Sequence, residues 1–436
     1  MNTDGTSNAR QQSSHLAPRD EHGTPHKDND AKFLEASLSA PALGSSRRSE
    51  MATLLRRSFP LSEPRKRRRA GALQNALAML VCCLAVSAHA QTTPDGFAIP
   101  QKGRVFEFPK DHGSHEAFRT EWWYLTGHLD GPDGRRFGFQ VTFFRQAGRE
   151  AASGKVSHLH LAHAALLDAA SGRFLHEEKL NREGWDAFSS DETLDVRNAN
   201  WSLTLDEATN RIAVAATVKA DAVLKLQMEA LKPLVVFGED GVSRKGANES
   251  AASHYLTFPR LKATGSVKVG AQQHRVNGEA WMDHEFSSSQ LDEGQAGWDW
   301  AAIQLKDGRE IMVYRMRRTD GSTDAASTLT WIAGDGALKK AAFDWKALAT
   351  WKSPHSGAAY PNRVRIESEG SVFELRPVAQ DQEQGGSITG LPYWEGACDV
   401  LDSHGEVIGR AFLELAGYAG DLKRHLGGTP AQKRRE

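Results

Sequence analysis

Short segments in which hydrophobic and polar residues alternate recur along most of the chain. The segment 137–143 is the clearest example, because its odd positions are Phe, Phe, Val and Phe, whereas its even positions are Gly, Gln and Thr. An alternation of period two is typical of a β-strand with one buried face. The segments 201–205 and 212–218 repeat the pattern on either side of a polar turn. We therefore predict a series of neighbouring antiparallel strands.

Turn signals separate these segments. Asp307-Gly308 stands between two apolar segments, and an Asp-Gly pair in that position is a strong hairpin signal. Similar turns are predicted at 131–134, 170–172 and 403–405. Only 221–228 could equally be a short helix. The pattern predicts an all-β protein, a barrel or a sandwich, and argues against a parallel α/β sheet.

The length of the chain predicts two such barrels. The protein has 436 residues, which is more than one small barrel uses. Gly, Ser, Asn and Lys cluster between 245 and 275, ahead of and around Pro259, and we place the junction there. The predicted domains are 91–260 and 261–427, followed by a disordered tail at 428–436.

The first ninety residues have a different character. Residues 1–64 are predicted to be a disordered segment or an N-terminal extension; Met51 is an alternative start, which would leave residues 1–50 outside the protein. A basic run at 65–69, an apolar run at 76–86 and the small-x-small sequence 88–90 predict a signal peptide at 65–90, cleaved after Ala90. We expect a periplasmic or secreted protein without a permanent transmembrane helix; the sequence leaves the general and the twin-arginine export routes open.

Charge and cysteine content narrow the function classes. Residues 1–90 carry 13 Lys and Arg against 8 Asp and Glu, whereas the whole chain has a net charge of −1, so the body is acidic. An acidic body without a basic stripe is a poor partner for nucleic acid. Of the 3 Cys, only Cys398 lies outside the apolar run of the signal, so we expect no internal disulfide.

The densest polar segment is 278–286, Gly-Glu-Ala-Trp-Met-Asp-His-Glu-Phe. In a strand, Trp281, Asp283 and Glu285 share one face. Inside a dry barrel, desolvation and the neighbouring carboxylate would favour the protonated form of Asp283, which makes it a candidate general acid. The alternative is that the two carboxylates lie on a solvated face or pair with arginines.

Aromatic residues supply candidate ligand contacts. Inward-facing Trp and Tyr side chains can line a cavity for an elongated apolar ligand, although each could equally be a core filler. The candidates are Trp122, Trp123, Tyr124, Trp298, Trp300, Tyr393 and Trp394. His158, His160 and His163 do not share one strand face, so we predict no metal site, and no cofactor motif is present in the sequence.

Four ordered motifs resemble those of the AttH-like proteins of the carotenoid 1,2-hydratase (CrtC-type) superfamily. They are 121–129 (Glu-Trp-Trp-Tyr-Leu-Thr-Gly-His-Leu), 280–286, 297–300 (Gly-Trp-Asp-Trp), and 393–396 (Tyr-Trp-Glu-Gly) together with 409–418. The resemblance extends over nearly all of residues 100–420. It implies two lipocalin-like (calycin) antiparallel β-barrels packed together, in agreement with the strand pattern.

The resemblance also implies a chemistry. Carotenoid hydratases carry His-x-Trp followed by Tyr-x-Asp, and His254-x-Leu256 and Trp281-x-Asp283 occupy the corresponding spacing here. Asp283 would protonate a C=C bond, His254 would hold or recharge the acid, and Trp281 would face the carbocation. Leu256 and Glu285 would contact the ligand. Because Leu256 and Trp281 replace Trp and Tyr, the tyrosine hydroxyl of that motif is missing.

Two functions therefore compete. The first is a hydratase-like lyase that acts on an isoprenoid or lipid-like ligand through Asp283. The second is a non-catalytic periplasmic carrier that delivers a hydrophobic ligand to an ABC-type envelope transport system. A module whose aromatics only pack is a third reading, and the sequence determines neither the ligand nor the oligomeric state.

Overall fold

A computed structural model describes residues 91–150, 153–386, 388 and 391–422. The predicted extension at 1–64, the signal peptide at 65–90 and the tail at 428–436 lie outside the described residues. Within the described ranges, no helix is long and apolar enough to cross a membrane.

The described chain consists of antiparallel strands and two short 3-10 helices, Lys110–His112 and Pro132–Gly134. The strands of the first sheet are β1 (Thr120–Asp130), β2 (Arg136–Arg149), β3 (Val156–Asp168), β4 (Arg173–Arg182), β5 (Ala187–Ser189), β6 (Asp195–Asn198), β7 (Trp201–Asp206), β8 (Arg211–Val218), β9 (Ala222–Ala230), β10 (Val235–Phe237), β11 (Ser243–Arg244), β12 (Ala252–Val269) and β13 (Gln272–Ser289). Those of the second are β14 (Gln295–Leu305), β15 (Glu310–Arg318), β16 (Thr328–Ile332), β17 (Leu338–Ala341), β18 (Asp344–Lys352), β19 (Ala359–Ser368), β20 (Ser371–Pro377), β21 (Glu383–Gln384), β22 (Tyr393–Leu401) and β23 (Val407–Ala416).

The first sheet is a nearly closed barrel with the order β4-β3-β2-β1-β13-β12-β9-β8-β7-β6-β5. Its interior is filled by the inward positions of these strands, among them Phe139, Val141 and Phe143 of β2. Alternate residues of β2 face outward, as the period-two pattern predicts. The ambiguous segment 221–228 belongs to β9, so its apolar positions pack as a strand.

The second sheet curves into a half-barrel with the order β17-β16-β15-β14-β23-β22-β20-β19-β18. Leu413 and Leu415 of β23 and Val313 of β15 belong to its separate hydrophobic core. The predicted Asp-Gly hairpin joins β14 to β15, and Gly308 has a φ of +86°, which favours glycine. The predicted fold class, two lipocalin-like antiparallel barrels, is confirmed.

The two sheets change over between Ser289 and Gln295. The predicted domain boundary between 260 and 261 falls inside β12, and the residues of β12 on both sides of this boundary belong to the first sheet. The polar cluster that suggested the junction forms a loop at 245–251 of the first barrel instead. The polar cluster does indicate a turn. Turns within a barrel and turns between barrels have the same composition, so composition alone could not distinguish them.

The barrels pack against each other through outward faces of β1, β2, β14, β22 and β23. A third hydrophobic cluster unites Tyr124 of the first barrel with Trp300 and Phe412 of the second. The approach is close at Gly138, where an added Cβ would lie 2.7 Å from the Cβ of Ala397. Two side-chain ion pairs, Arg410 with Asp130 and Arg136 with Asp399, tie the barrels together at the edge of this contact.

Candidate functional site

The barrels enclose a cavity of about 340 Å³ between them. The sequence predicted a cavity inside a barrel, whereas this cavity lies between the barrels, and the inward residues of the two described sheets form the hydrophobic cores. The first-barrel wall includes Trp122, Tyr124, Phe144, Leu161, Tyr255 and Asp283, and the second-barrel wall includes Trp298, Trp300, Tyr314, Tyr393, Glu395 and Glu414. The volume is within the range of small-molecule sites.

Strand alternation decides which aromatic residues reach this cavity. In β1, Trp122 and Tyr124 point into it, whereas Trp123 between them belongs to the core of the first barrel. Trp123 stacks on the His284 ring at a centroid distance of 4.8 Å. In β22, Tyr393 lines the cavity, whereas Trp394 is packed in the core of the second barrel. Trp123 and Trp394, predicted as ligand contacts, thus lie in the barrel cores and not in the lining of this cavity.

Trp298 and Trp300 both line the cavity, as expected for two residues of one strand face. The indole Nε1 of Trp300 donates to the Tyr255 hydroxyl at 3.0 Å. That of Trp298 donates to Glu414 Oε1 at 3.1 Å. Both indoles thus combine an apolar ring in the cavity with a fixed hydrogen bond.

Asp283 lies in the wall of the cavity and accepts three hydrogen bonds. Thr257 Oγ1 donates to Oδ1 at 2.6 Å, and the Tyr255 hydroxyl donates to Oδ2 at 2.7 Å. Trp281 Nε1 donates to Oδ1 at 2.7 Å. Thr257 and Tyr255 reach the acid because β12 pairs with β13 so that Thr257 is opposite Asp283.

Burial is the main influence on Asp283. Desolvation raises its pKa to about 7, with a further rise from Glu285, although the hydrogen bonds from Thr257, Tyr255 and Trp281 act in the opposite direction. Near neutral pH this carboxyl group therefore exists in both protonation states. That property suits a group that gives up and regains a proton.

The structure does not bring His254 to the acid. His254 Nδ1 bonds to the Gly241 carbonyl at 2.7 Å, and its ring packs against Phe118 and Phe286. Alternation in β12 turns Tyr255 and Thr257 towards Asp283 and therefore turns His254 away. Burial lowers the pKa of His254 to about 4, so it is neutral. His254, predicted to hold or recharge the acid, is therefore not among the hydrogen-bond partners of Asp283.

Leu256, predicted as a ligand contact, lies away from the cavity for the same reason. It shares the His254 face of β12 and packs with Phe118 and Phe286 in a small hydrophobic cluster. Trp281 does share the Asp283 face, but it packs in the cluster between the barrels and touches the acid through its N–H. It is thus a positioning residue for Asp283.

Glu285 lines the cavity and is paired. Its Oε1 lies 2.9 Å from Nζ of Lys245, a lysine with no exposed surface. The ammonium group of Lys245 also lies over the rings of Tyr255 and Tyr314, at 4.6 and 4.0 Å from their centroids. Carboxylate and aromatic faces together compensate the burial of this cation.

Two further carboxyl groups face the cavity from the second barrel. Glu395 and Glu414 are direct cross-strand partners in β22 and β23. Burial, followed by the mutual proximity of the two groups, raises the pKa of Glu395 well above its ordinary value, and burial raises that of Glu414 also. The Tyr124 hydroxyl donates to Glu395 Oε1.

Most of the polar partners in this site are not among the residues predicted from the sequence. Tyr255 and Thr257 alternate with His254 and Leu256 along β12. This alternation could have indicated that Tyr255 and Thr257 share one strand face, opposite the face of His254 and Leu256. Glu395 and Glu414 lie within the quoted motifs 393–396 and 409–418. Nothing in the local sequence marks Lys245, which comes from a loop.

A separate buried network lies behind β1 and β13. Ligand atoms of His115, Glu121 and His284 lie within 4.8 Å of one another, a spacing that could hold a metal ion. Glu121 is already satisfied, because Arg145 Nε donates to it at 3.0 Å and both histidine rings bond to its Oε1, at 2.8 and 2.9 Å. We interpret this network as a structural ion pair between Glu121 and Arg145 with two histidines as hydrogen-bond partners.

The histidines of β3 are split between two faces. His163 lines the cavity, where its Nδ1 bonds to the Tyr393 hydroxyl at 2.8 Å. His158 lies on the other face beside Arg145, and with Glu116 and Glu183 it forms a second group with metal-ligand spacing. The three histidines therefore do not converge on one ion.

Known proteins share this architecture. The family model described as AttH-like matches residues 99–418. A crystal structure of a protein from Nitrosomonas europaea, described as an AttH, is 33% identical, with a TM-score of 0.68, covering 74% of this chain and 100% of its own. Kievitone hydratase from Nectria haematococca is 13% identical, with a TM-score of 0.55, covering 76% and 97%, which shows a common fold. The curated proteins contain no match.

Proposed function

The chain belongs to the AttH-like family, and from that premise we propose that it binds an apolar, unsaturated ligand between its two barrels and hydrates a C=C bond through Asp283. The proposal depends mainly on the position and the raised pKa of the Asp283 carboxyl group. Asp283 is buried in an aromatic cavity, and its pKa is raised to about 7. The likeness to kievitone hydratase supports the fold and adds nothing on substrate.

The proposed reaction begins with proton transfer. The protonated carboxyl group of Asp283 gives its proton to one alkene carbon, and the π electron pair forms the new C–H bond. The Tyr255 hydroxyl, which donates to Oδ2, stabilises the carboxylate that remains. The indole of Trp298 and the ring of Tyr124 offer π faces to the carbocation on the other carbon.

Water completes the reaction. A water molecule adds to the carbocation through its oxygen, and the resulting oxonium loses a proton to the Asp283 carboxylate, which restores the acid. The sum is addition of one water molecule to one C=C bond. General acid catalysis of this kind contributes about 10²- to 10⁴-fold in rate.

A direct test uses ¹⁸O-labelled water. Incubation of the protein with acyclic carotenoids and terpenoid alkenes is expected to give a tertiary alcohol that carries the label, and Asp283→Asn is expected to abolish the product. Tyr314→Phe is the matched control, because Tyr314 lines the same cavity and its ring lies over Lys245 rather than at the acid. Absence of label across the panel, or equal activity of Asp283→Asn, would refute the hydratase.

One observation favours the second function, a carrier without chemistry. Both oxygens of Asp283 already accept hydrogen bonds from fixed neighbours, so the arrangement also suits a permanent polar anchor. Two leucines of the cavity wall, Leu159 and Leu180, are 41% and 47% exposed, which gives the mouth an apolar rim. Native mass spectrometry decides: a lipid that co-purifies unchanged supports carriage, and an empty cavity counts against it.

We further propose that the protein is exported to the periplasm or secreted after cleavage behind Ala90, and that as a carrier it would serve an ABC-type envelope transport system. The basic and apolar runs of residues 65–86 support the export. N-terminal sequencing of protein from a periplasmic fraction tests it. A mature chain that begins at Gln91 is expected, and recovery of uncleaved protein in the cytoplasm would contradict it.

A further inference from the structure

The carboxyl groups of Glu395 and Glu414 form an uncompensated pair in the second-barrel wall. They are directly opposite each other in β22 and β23, which places their Cβ atoms about 4.5 to 5.5 Å apart. Both line the cavity. Like charges at this separation repel unless a cation or a proton lies between them.

No basic side chain of the described residues forms an ion pair with either group. Glu395 is 1% exposed, and its Oε2 accepts no hydrogen bond from the part of the chain that the structure describes. A buried carboxyl oxygen without a hydrogen-bond partner is costly, so this atom can gain a hydrogen bond from the donor group of a bound ligand.

A second charged group at the same cavity shows which partner fits. There the Lys245 ammonium group is held by the Glu285 carboxylate and by the faces of Tyr255 and Tyr314. The Glu395–Glu414 pair has the same kind of surroundings, since Trp298 and Tyr124 hydrogen-bond to its carboxyl groups and line the cavity beside it.

We propose that the Glu395–Glu414 pair binds an organic ammonium group, so that the ligand is an amphipathic cation with an apolar body. The inference rests on the proposed function, since both place the ligand in this cavity, and it adds a substrate class: an unsaturated chain or ring that carries an ammonium group. Aromatic rings around carboxylates are the usual surroundings of such cations. Two carboxyl groups among indole and phenol rings lack the six to eight oxygen ligands that Ca²⁺ takes.

The test measures charge preference with three probes of equal chain length: n-octylammonium, n-octanol and n-octanoate. Isothermal titration of the purified protein at pH 8 is expected to show octylammonium binding about 10- to 100-fold more tightly than octanol, the effect of hydrogen bonds to charged partners. Octanoate is expected to bind most weakly. Equal affinities for octylammonium and octanol would overturn the inference.

Variants then locate the preference. The double variant Glu395→Gln with Glu414→Gln keeps the shape of the cavity and is expected to lose the preference for octylammonium while its affinity for octanol stays unchanged. Glu367→Gln, an exposed change in the same sheet, is the matched control and is expected to retain it. A preference that survives in the double variant would refute the assignment to this pair.

The outcome is separable from that of the proposed function. Asp283→Asn is expected to abolish hydration and to keep the preference for octylammonium over octanol, because both carboxyl groups of the Glu395–Glu414 pair remain. A preference without any hydration would refute the hydratase and keep the ammonium site. If the protein shows hydration that depends on Asp283 but no preference for octylammonium, the ammonium site would be refuted and the hydratase would be kept.

Discussion

Replacing Asp283 by Asn is expected to stabilise the folded protein, and more strongly at high pH. Burial holds the pKa of this carboxyl group at about 7, compared with 3.8 for the ordinary group. Between these values the folded state binds more protons than the unfolded state, so stability falls as the pH rises through this window. Asn is isosteric and carries no charge, and the Tyr255 hydroxyl can rotate to accept from its amide.

The magnitude follows from the two pKa values. At about 1.4 kcal/mol per pKa unit, the carboxyl group is expected to destabilise the folded state by about 2 kcal/mol at pH 5 and by about 4 kcal/mol at pH 8. The advantage of the variant should therefore grow by about 2 to 3 kcal/mol between these pH values. The groups that titrate in both proteins largely cancel in the difference.

Urea denaturation of the wild type and of Asp283→Asn at pH 5 and pH 8 measures this difference. The control is Asp191→Asn, an exposed aspartate whose replacement should shift stability equally at both pH values. A gain that does not change with pH would show that Asp283 titrates in its ordinary range. The reasoning for a general acid at neutral pH would then fail as well.

Three further predictions concern the neighbours of the acid and the buried network. Tyr255→Phe removes a donor to the carboxylate and should raise the pKa of Asp283 by about 1 to 2 units, seen as a shift of its infrared carboxyl band; an unmoved band would refute the contact. His254→Gln should keep hydration within about twofold while lowering the unfolding midpoint, because this ring only packs and bonds to a carbonyl; inactivity in a folded variant would restore its catalytic role. Glu121→Gln leaves the Arg145 charge buried without its carboxylate and should cost about 3 to 5 kcal/mol in denaturant unfolding, a loss below about 1 kcal/mol contradicting it.

Much of the fold was predictable because it is local. Period-two alternation gave the strands and, in β13, separated Trp281 and Asp283 from His284 and Phe286, which the structure places on opposite faces. Gly and Asp in short turns gave the hairpins. The same alternation separates Trp122, which lines the cavity, from Trp123, which lies in the core of the first barrel.

The location of the cavity was not predictable from strand patterns. A strand that buries both faces looks the same whether its second face meets a ligand or another barrel. Only the packing of two barrels shows that Tyr124 and Trp300 face each other across the contact. The predicted junction failed to match the change of sheets for a related reason, since turn composition carries no information on which sheet follows.

The sequence by itself determined the all-β class, the family, and the choice of Asp283 as the residue of interest, since each depends on residue type and near-neighbour spacing. Only the tertiary structure decided which side chains surround Asp283. Tyr255 approaches from the neighbouring strand, and Glu414 from a barrel that begins after the first has ended. Such neighbours are set by strand pairing and barrel docking, which depend on the summed burial of many residues and leave no mark on any short segment.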